Sequence, residues 1–343
     1  MLDGNSFVGE DYHAEKRIFK ENGITYQVCN CKTEKDIIDK AADADGIITV
    51  FNKITRNVLK NLPKCKVVLR CAIGYETIDI ETATELGIAV CNIPDYCIDE
   101  VATHTMALML SLVRKVHLYN QSSRRGEWNN GYGYPIHRLS SRTVGLVGFG
   151  KIAQRASEFL KSFGTDIVAY DPYGRDETFL KNGVRRVTLD ELYQVSDIIS
   201  LHVPLTKETK HLINKESISK MKDGVILVNT ARGPVICLED LLEAIKSNKV
   251  LAAGLDVVES EPVLDPSADL FKYENIIVNP HTAYNSIEAY EDLHEKVALS
   301  AVSVLNGVLP DNTLNKNRLG CLELSETSHF ETQGDLLTLS FIA

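Results

Sequence analysis

The sequence predicts an α/β protein built on parallel sheets with helices on both faces. Three observations carry that expectation. Short apolar runs of strand length alternate with helix-length periodic segments almost throughout the chain. The 343 residues exceed the usual size of one domain and suggest about two. Near residue 98 the alternation breaks into one long helix and an irregular stretch, and from Thr143 a second strand–helix series begins.

Taken in order, Ile47–Phe51, Val67–Leu69 and Ile88–Cys91 read as strands. Asp11–Glu21, Thr33–Ala42 and Asp79–Leu86 read as helices between them. Asp99–Val116 is a long helix, with Val101, Ala102, Met106, Leu108, Met109, Leu112 and Val113 on its apolar side. Ser122–His137 is rich in Gly, Asn, Tyr and Arg, and holds the only Trp, Trp128. It reads as an irregular arm that a dimer would cover. Strands are expected at 143–148, 166–170, 197–201, 224–229, 250–256 and 276–278, and a last helix over Ser286–Leu305. Asn285 and Glu288 have the spacing of a capping box for that helix. The segment 316–343 matches nothing before it and reads as a tail or an appended peptide.

Composition narrows the functional classes. The 44% hydrophobic and 24% charged residues are those of an ordinary globular protein. The longest apolar runs are too short to span a bilayer, and the amino terminus lacks the pattern of a signal peptide. The net charge of −10 argues against nucleic acid as a main partner, although a local Arg or His can still bind a small anion. The eight cysteines form no Cys-x-x-Cys pair and no zinc-finger spacing, so no metal is expected and the thiols read as reduced, in a cytoplasmic protein.

The first motif with chemistry is Gly148-Phe-Gly150-Lys151-Ile152-Ala153, between the apolar run Val144–Val147 and a helical stretch. The first glycine allows a tight turn, the second lets backbone approach a pyrophosphate, and the small third residue lets helix and strand pack closely. The helix start offers unpaired N–H groups to phosphate. Alone, this pattern also describes an ordinary strand–helix turn. A second strand ending at Asp171 strengthens it, because a carboxylate there would accept hydrogen bonds from ribose hydroxyls and repel a 2′-phosphate. NAD is therefore favoured over NADP.

Three further residues follow strand candidates: Arg232 in Val-Asn-Thr-Ala-Arg-Gly, Glu261 in Asp-Val-Val-Glu-Ser-Glu-Pro, and His281 in Asn-Pro-His-Thr-Ala. Each alone has an ordinary explanation, as a surface ion pair, a loop carboxylate or a helix cap. Together, at the carboxyl ends of parallel strands, they suit one chemistry. An arginine clamps a carboxylate, a histidine moves a proton near neutral pH, and a carboxylate keeps that histidine charged. With a nicotinamide alongside, this is equipment for interconverting a 2-keto acid and a 2-hydroxy acid.

Over roughly residues 10 to 315 the sequence resembles the D-isomer-specific 2-hydroxyacid dehydrogenases. The resemblance rests on Arg70–Asp79, Gly148–Ala153, Asp171-Pro172, Leu201–Pro204, Val228–Gly233, Asp256–Pro262, Asn279–Ala283 and Pro310–Asn315. Within the family it leans toward the branch of the C-terminal-binding-protein corepressors and their bacterial dehydrogenase relatives. The resemblance implies two doubly wound domains. A Rossmann NAD domain, residues 99–290, would be inserted into a flavodoxin-like substrate domain, residues 1–98 plus 291–343, with a cleft closing by hinge motion. It implies that Arg232 binds the substrate carboxylate and keto oxygen, that His281 protonates that oxygen, and that Glu261 partners His281. Ala72, Ile73, Gly74 and Tyr284 would meet substrate. Thr105, Gly148, Gly150, Lys151, Ile152, Asp171, Val203, Pro204, Thr230, Ala231, Asp256 and His281 would contact the cofactor. It also implies a homodimer through the NAD domain.

The departures are informative. Many members have Gly at the position of Ala72, and the corepressors have Trp at that of Tyr284. Phosphoglycerate-specific members have Arg at the position of Thr49, which weakens a phosphoglycerate reading. His104, His202 and His211 read as structural. Lys53 and Tyr75 are weak candidates for shaping the substrate pocket. The alternative function is an NAD-sensing scaffold like the corepressors.

Overall fold

The computed structural model describes residues 12–133 and 135–319, together with the backbone of 340–342. Tyr134 of the arm, Cys321 and most of the tail lie outside the described residues. The chain divides into two compact units, Met1–Tyr96 with Ser286–Ala343, and Cys97–Asn285.

Among the described residues, the first unit holds a five-stranded parallel sheet. Its strands are β1 (Thr25–Gln27), β2 (Gly46–Thr49), β3 (Val67–Arg70), β4 (Ala89–Cys91) and β12 (Ser340–Ile342), in the spatial order β1-β12-β2-β3-β4. Residues Gly46–Thr49 and Val67–Arg70 are buried throughout, as expected of strands covered on both faces. Ile47, Val68 and Val90 pack with Ile37, Ile54 and Leu59 in one apolar cluster. The helices start where their capping residues allow. Thr33 and Asp36 form a capping box for Glu34–Ala41, and the Asp79 carboxylate accepts the Thr82 N–H at the start of Ile80–Glu85. Thr33 and Asp79, read as helical from sequence, are the caps. β1 and β12 were not expected as strands.

The returning segment is tied in by the Pro310–Asn315 motif. The buried Asn315 side chain accepts the Val90 N–H at 3.0 Å and donates to Thr84 Oγ1 at 3.0 Å and the Ile88 carbonyl at 2.9 Å. The Leu314 N–H donates to the Val90 carbonyl at 2.7 Å. A hydrogen bond between Glu15 and His294 links the His13–Glu21 and Ile287–Leu305 helices. The last of these helices corrects an expectation. Ser286, not Asn285, is its N-cap, with extended backbone and a side chain that accepts the Ala289 N–H at 2.9 Å. Asn285 instead closes a turn, donating its N–H to the Thr282 carbonyl.

The second unit holds β5 (Thr143–Val147), β6 (Asp166–Tyr170), β7 (Arg185–Arg186), β8 (Ile198–Leu201), β9 (Val225–Asn229), β10 (Val250–Leu255) and β11 (Ile276–Val278). All pair in parallel, in the order β11-β10-β9-β8-β5-β6-β7. Alternate residues feed separate cores on the two faces. Ile199, Leu201, Val225, Leu227, Ala253 and Leu255 join one cluster, whereas Val144, Leu146, Ile198, Ile226, Val228 and Ala252 join the other. That is why these strands read as continuous apolar runs. The Ile98–Val113 helix packs Met106, Leu108, Met109, Leu112 and Val113 into the second cluster. A further helix, Val116–Arg124, continues into the start of the stretch expected to be irregular, and the arm proper begins after it. Among the described residues no helix is long and apolar enough to cross a membrane.

Candidate active site

Because every strand of the second sheet runs in one direction, the residues that follow them share one edge. Gly148 follows β5, Asp171 follows β6, His202 and Val203 follow β8, Thr230 follows β9, and Asp256 follows β10. His281 lies three residues beyond β11. Open parallel sheets bind their ligands outside this carboxyl edge.

At the β5 end the chain turns through Gly148 at φ 88°, with its N–H donating to the Tyr170 carbonyl at 2.7 Å. A Cβ there would lie 2.7 Å from the His202 carbonyl oxygen, so both conformation and space require glycine. Gly150 is different. It caps the twelve-residue helix Lys151–Ser162, and a Cβ on it would meet nothing within 4 Å. The backbone faces open space at a helix N-terminus, which fits the approach of a pyrophosphate. Ala153 is fully buried and gives the close helix packing. Asp171 does more than sequence reasoning assigned to it. One carboxylate oxygen accepts the Phe149 N–H inside the glycine turn, and the other accepts the Tyr173 N–H, both at 2.9 Å. The second lone pair of each oxygen leaves capacity for ribose hydroxyls. His202 donates or accepts at Ser200 Oγ, 3.0 Å away, and burial lowers its pKa to about 4, so it is neutral.

The strand β9 end is shaped by Asn229, a fully buried residue that sequence reasoning passed over. Its amide nitrogen donates to the Arg232 carbonyl at 2.9 Å, and its amide oxygen accepts the Ala231 N–H at 3.0 Å. Thr230 shares a 2.8 Å hydroxyl contact with the buried Thr105, which also donates to the Val101 carbonyl. Gly233 permits the next approach, since a Cβ would lie 1.9 Å from the Val258 oxygen. This brings the turn carrying Arg232 against the loop carrying Glu261.

Asp256 organises the third part. It is 1% exposed, and its two carboxylate oxygens accept the Thr282 and Ala283 N–H groups, each at 2.9 Å. Its own carbonyl accepts the His281 N–H at 2.8 Å. His104 backs it, with Nε2 3.5 Å from Asp256 Oδ1 and 3.2 Å from Asn279 Oδ1. His281 is thereby held at φ 54°, an uncommon conformation for a residue with a side chain. Its Nδ1 lies 3.1 Å from Glu261 Oε1. Burial raises the Glu261 carboxyl, but the His281 hydrogen bond and charge, the Val258 N–H and Arg232 outweigh it, and the net direction is downward. Glu261 is therefore an anion at neutral pH. Tyr284 meets the His281 ring edge-on, with centroids 6.2 Å apart.

In the first unit, the carbonyls of Ala72, Ile73 and Gly74 are each engaged. They accept the Ile93 N–H, the Asn92 amide and the Arg70 guanidinium, at 3.0, 2.7 and 2.9 Å. Thr49 is fully buried, and its hydroxyl donates to the Asn52 carbonyl.

Comparison with known proteins bears on the family and the fold. Residues 106–283 match the NAD-binding domain of D-isomer-specific 2-hydroxyacid dehydrogenases. The glyoxylate reductase of Thermococcus litoralis is 37% identical over 295 residues, covering 82% of this chain and 87% of that protein. The hydroxypyruvate reductase of Blautia hydrogenotrophica is 36% identical over 298 residues, covering 85% and 92%. Among solved structures, the D-lactate dehydrogenase of Aquifex aeolicus complexed with NAD and lactic acid superposes with a TM-score of 0.78. It is 30% identical and covers 88% of this chain and 94% of that one.

Proposed function

The chain belongs to the D-isomer-specific 2-hydroxyacid dehydrogenase family, and from that premise we propose how its own residues carry out the reaction. It is an NAD-dependent enzyme that interconverts a 2-keto acid and a D-2-hydroxy acid. Bound NADH supplies the hydride. Arg232, on the turn fixed by Asn229, binds the substrate carboxylate and keto oxygen through its planar fork of donors. His281 donates a proton to the keto oxygen as it gains negative charge. Glu261 engages Nδ1, so the proton transferred is the one on Nε2. Glu261 also favours the charged imidazole that reduction consumes. In the oxidative direction the same nitrogen takes the proton back.

The observation that carries this reading is the 3.1 Å contact between His281 and the ionised Glu261. The substrate is a small unphosphorylated keto acid of the glyoxylate or hydroxypyruvate kind. The names of the first relatives support that choice, as does a buried Thr49 that offers no cation to a phosphate. NADH oxidation against glyoxylate, hydroxypyruvate, pyruvate and bulkier keto acids tests it. Turnover should be fastest with one of the first two. No turnover with any acid, together with NADH-dependent self-association, would favour a corepressor-like scaffold.

The active form is a homodimer joined through the Cys97–Asn285 unit. Trp128 is 94% exposed, a large apolar surface for a single chain to leave in water. Sedimentation at micromolar concentration with NADH should give a dimer that Trp128→Ala weakens. A monomeric wild type would end this part of the reading.

A further inference from the structure

Among the described residues, His211, Cys237 and Glu259 place one ligand atom each within 4.8 Å of one another, and all three are partly exposed. They come from three separate loops: the one after β8, the turn before the Leu238–Lys246 helix, and the loop after β10. No spacing in the sequence links them, and they fit no zinc-finger pattern.

The loops are locked together by backbone, independently of the three side chains. The His211 and Ile213 N–H groups donate to the Pro234 and Val235 carbonyls at 2.8 and 3.0 Å. The Cys237 N–H returns a bond to the Ile213 carbonyl at 2.8 Å. Gly233 packs directly on the Val258 carbonyl, which fixes the third loop one residue from Glu259. His211 itself stands at φ 53°, held by these contacts. Glu259 is oriented as well: Oε2 accepts the Leu238 N–H at 3.1 Å, and Oε1 meets His211 Nε2. Cys237 is the N-cap of its helix, where its sulfur faces the Asp240 N–H and side chain.

We propose that His211, Cys237 and Glu259 form a binding site for a borderline-soft divalent cation of the zinc type, beside the loops that carry Arg232 and Glu261. Imidazole, thiolate and carboxylate are the donors such an ion prefers, at about 2.0–2.3 Å each. Three protein ligands leave a fourth position for water. Binding displaces the hydrogen-bonded proton between His211 and Glu259 and the thiol proton of Cys237, so affinity rises with pH and protons are released to solvent. The ordinary alternative is a His–Glu pair beside a thiol that caps its own helix at Asp240.

Cobalt(II) separates the two, because a thiolate bound to it gives a charge-transfer band in the near ultraviolet. Chelator-treated wild-type protein, without NADH or keto acid, should develop that band with one equivalent of cobalt(II), and zinc(II) should displace it. Cys237→Ser should abolish the band and weaken zinc(II) by about tenfold or more. Serine suits a helix N-cap, so this variant should fold. Cys29→Ser, at another partly exposed thiol, should leave the band unchanged. No band with wild type, or a band that survives Cys237→Ser, would overturn the proposal. The readout does not use catalysis, so it stands or falls separately from the reductase reading.

Discussion

Two loops on one edge of the seven-stranded sheet reach their shapes by opposite means. The glycine turn after β5 works by leaving side chains out: Gly148 takes a positive φ that glycine adopts freely, and Gly150 faces open space. The loop after β11 must keep a side chain, because His281 is the group proposed to move a proton. It holds that residue at φ 54° against a steric cost of order 1 kcal/mol. Asp256 offsets the cost with three hydrogen bonds to residues 281–283. A surface that only receives an anion can be made from backbone. A surface that transfers a proton needs a buried framework behind it.

The largest way to break this comparison is His281→Ala. Loss of a general acid should cut keto acid reduction by roughly 10²–10⁴-fold. NADH affinity, followed by fluorescence titration, should stay near wild type. If affinity fell as far as turnover, the two loops would not have separate tasks.

Next comes Asp256→Ala, which strips the framework and keeps the histidine. Two N–H groups lose their partners, at about 1–3 kcal/mol for each one left buried and unsatisfied. The melting temperature should fall by several degrees, and turnover should drop although Asp256 is assigned no proton. An unchanged melting temperature would show that the loop holds itself.

Glu261→Gln should act on the pH profile. Reduction consumes protonated His281, and the ionised Glu261 favours that form. The pair is coupled, since His281 helps hold the Glu261 carboxyl below its ordinary range, so removing the anion should move the descending limb of kcat/KM for reduction to lower pH. A limb that stayed in place or moved upward would remove Glu261 as the partner of His281.

The smallest expected effect belongs to the glycine-turn side. Asp171→Ala loses ribose acceptors, the repulsion of a 2′-phosphate, and the bond to the Phe149 N–H. The ratio of NADPH to NADH dissociation constants should fall, while turnover at saturating NADH stays close to wild type. A fixed ratio would leave Asp171 as a turn residue only.

Much of this was legible in the sequence, and the exceptions have physical causes. The long apolar strands β5, β6, β8, β9 and β10 were placed within a residue or so, because both faces are buried and the signal is continuous. β1 and β7 are short and mostly polar, without the apolar run that made the equally short β4 and β11 legible, and β12 falls in a tail that matched nothing before it, so long-range pairing alone defines them. Arg232, Glu261 and His281 stood out because their side chains carry chemistry in compact motifs. Asn229, Gly233 and His104 support them through contacts with residues distant in sequence, which no local pattern reveals. The extra duty of Asp171 inside the glycine turn was hidden for the same reason. His211, Cys237 and Glu259 met the same obstacle, since only the fold brings them together.

The order of strands in the first sheet has a consequence for biosynthesis. β1 and β2 emerge from the ribosome early, but β12, which lies between them, is encoded some three hundred residues later. Val90 likewise waits for Asn315. The Cys97–Asn285 unit has all its strands within its own stretch and can close while translation continues. The half of the molecule begun first is thus the half finished last. Through most of elongation its central strand edges stay open on the nascent chain, where they are exposed to pairing with other strands.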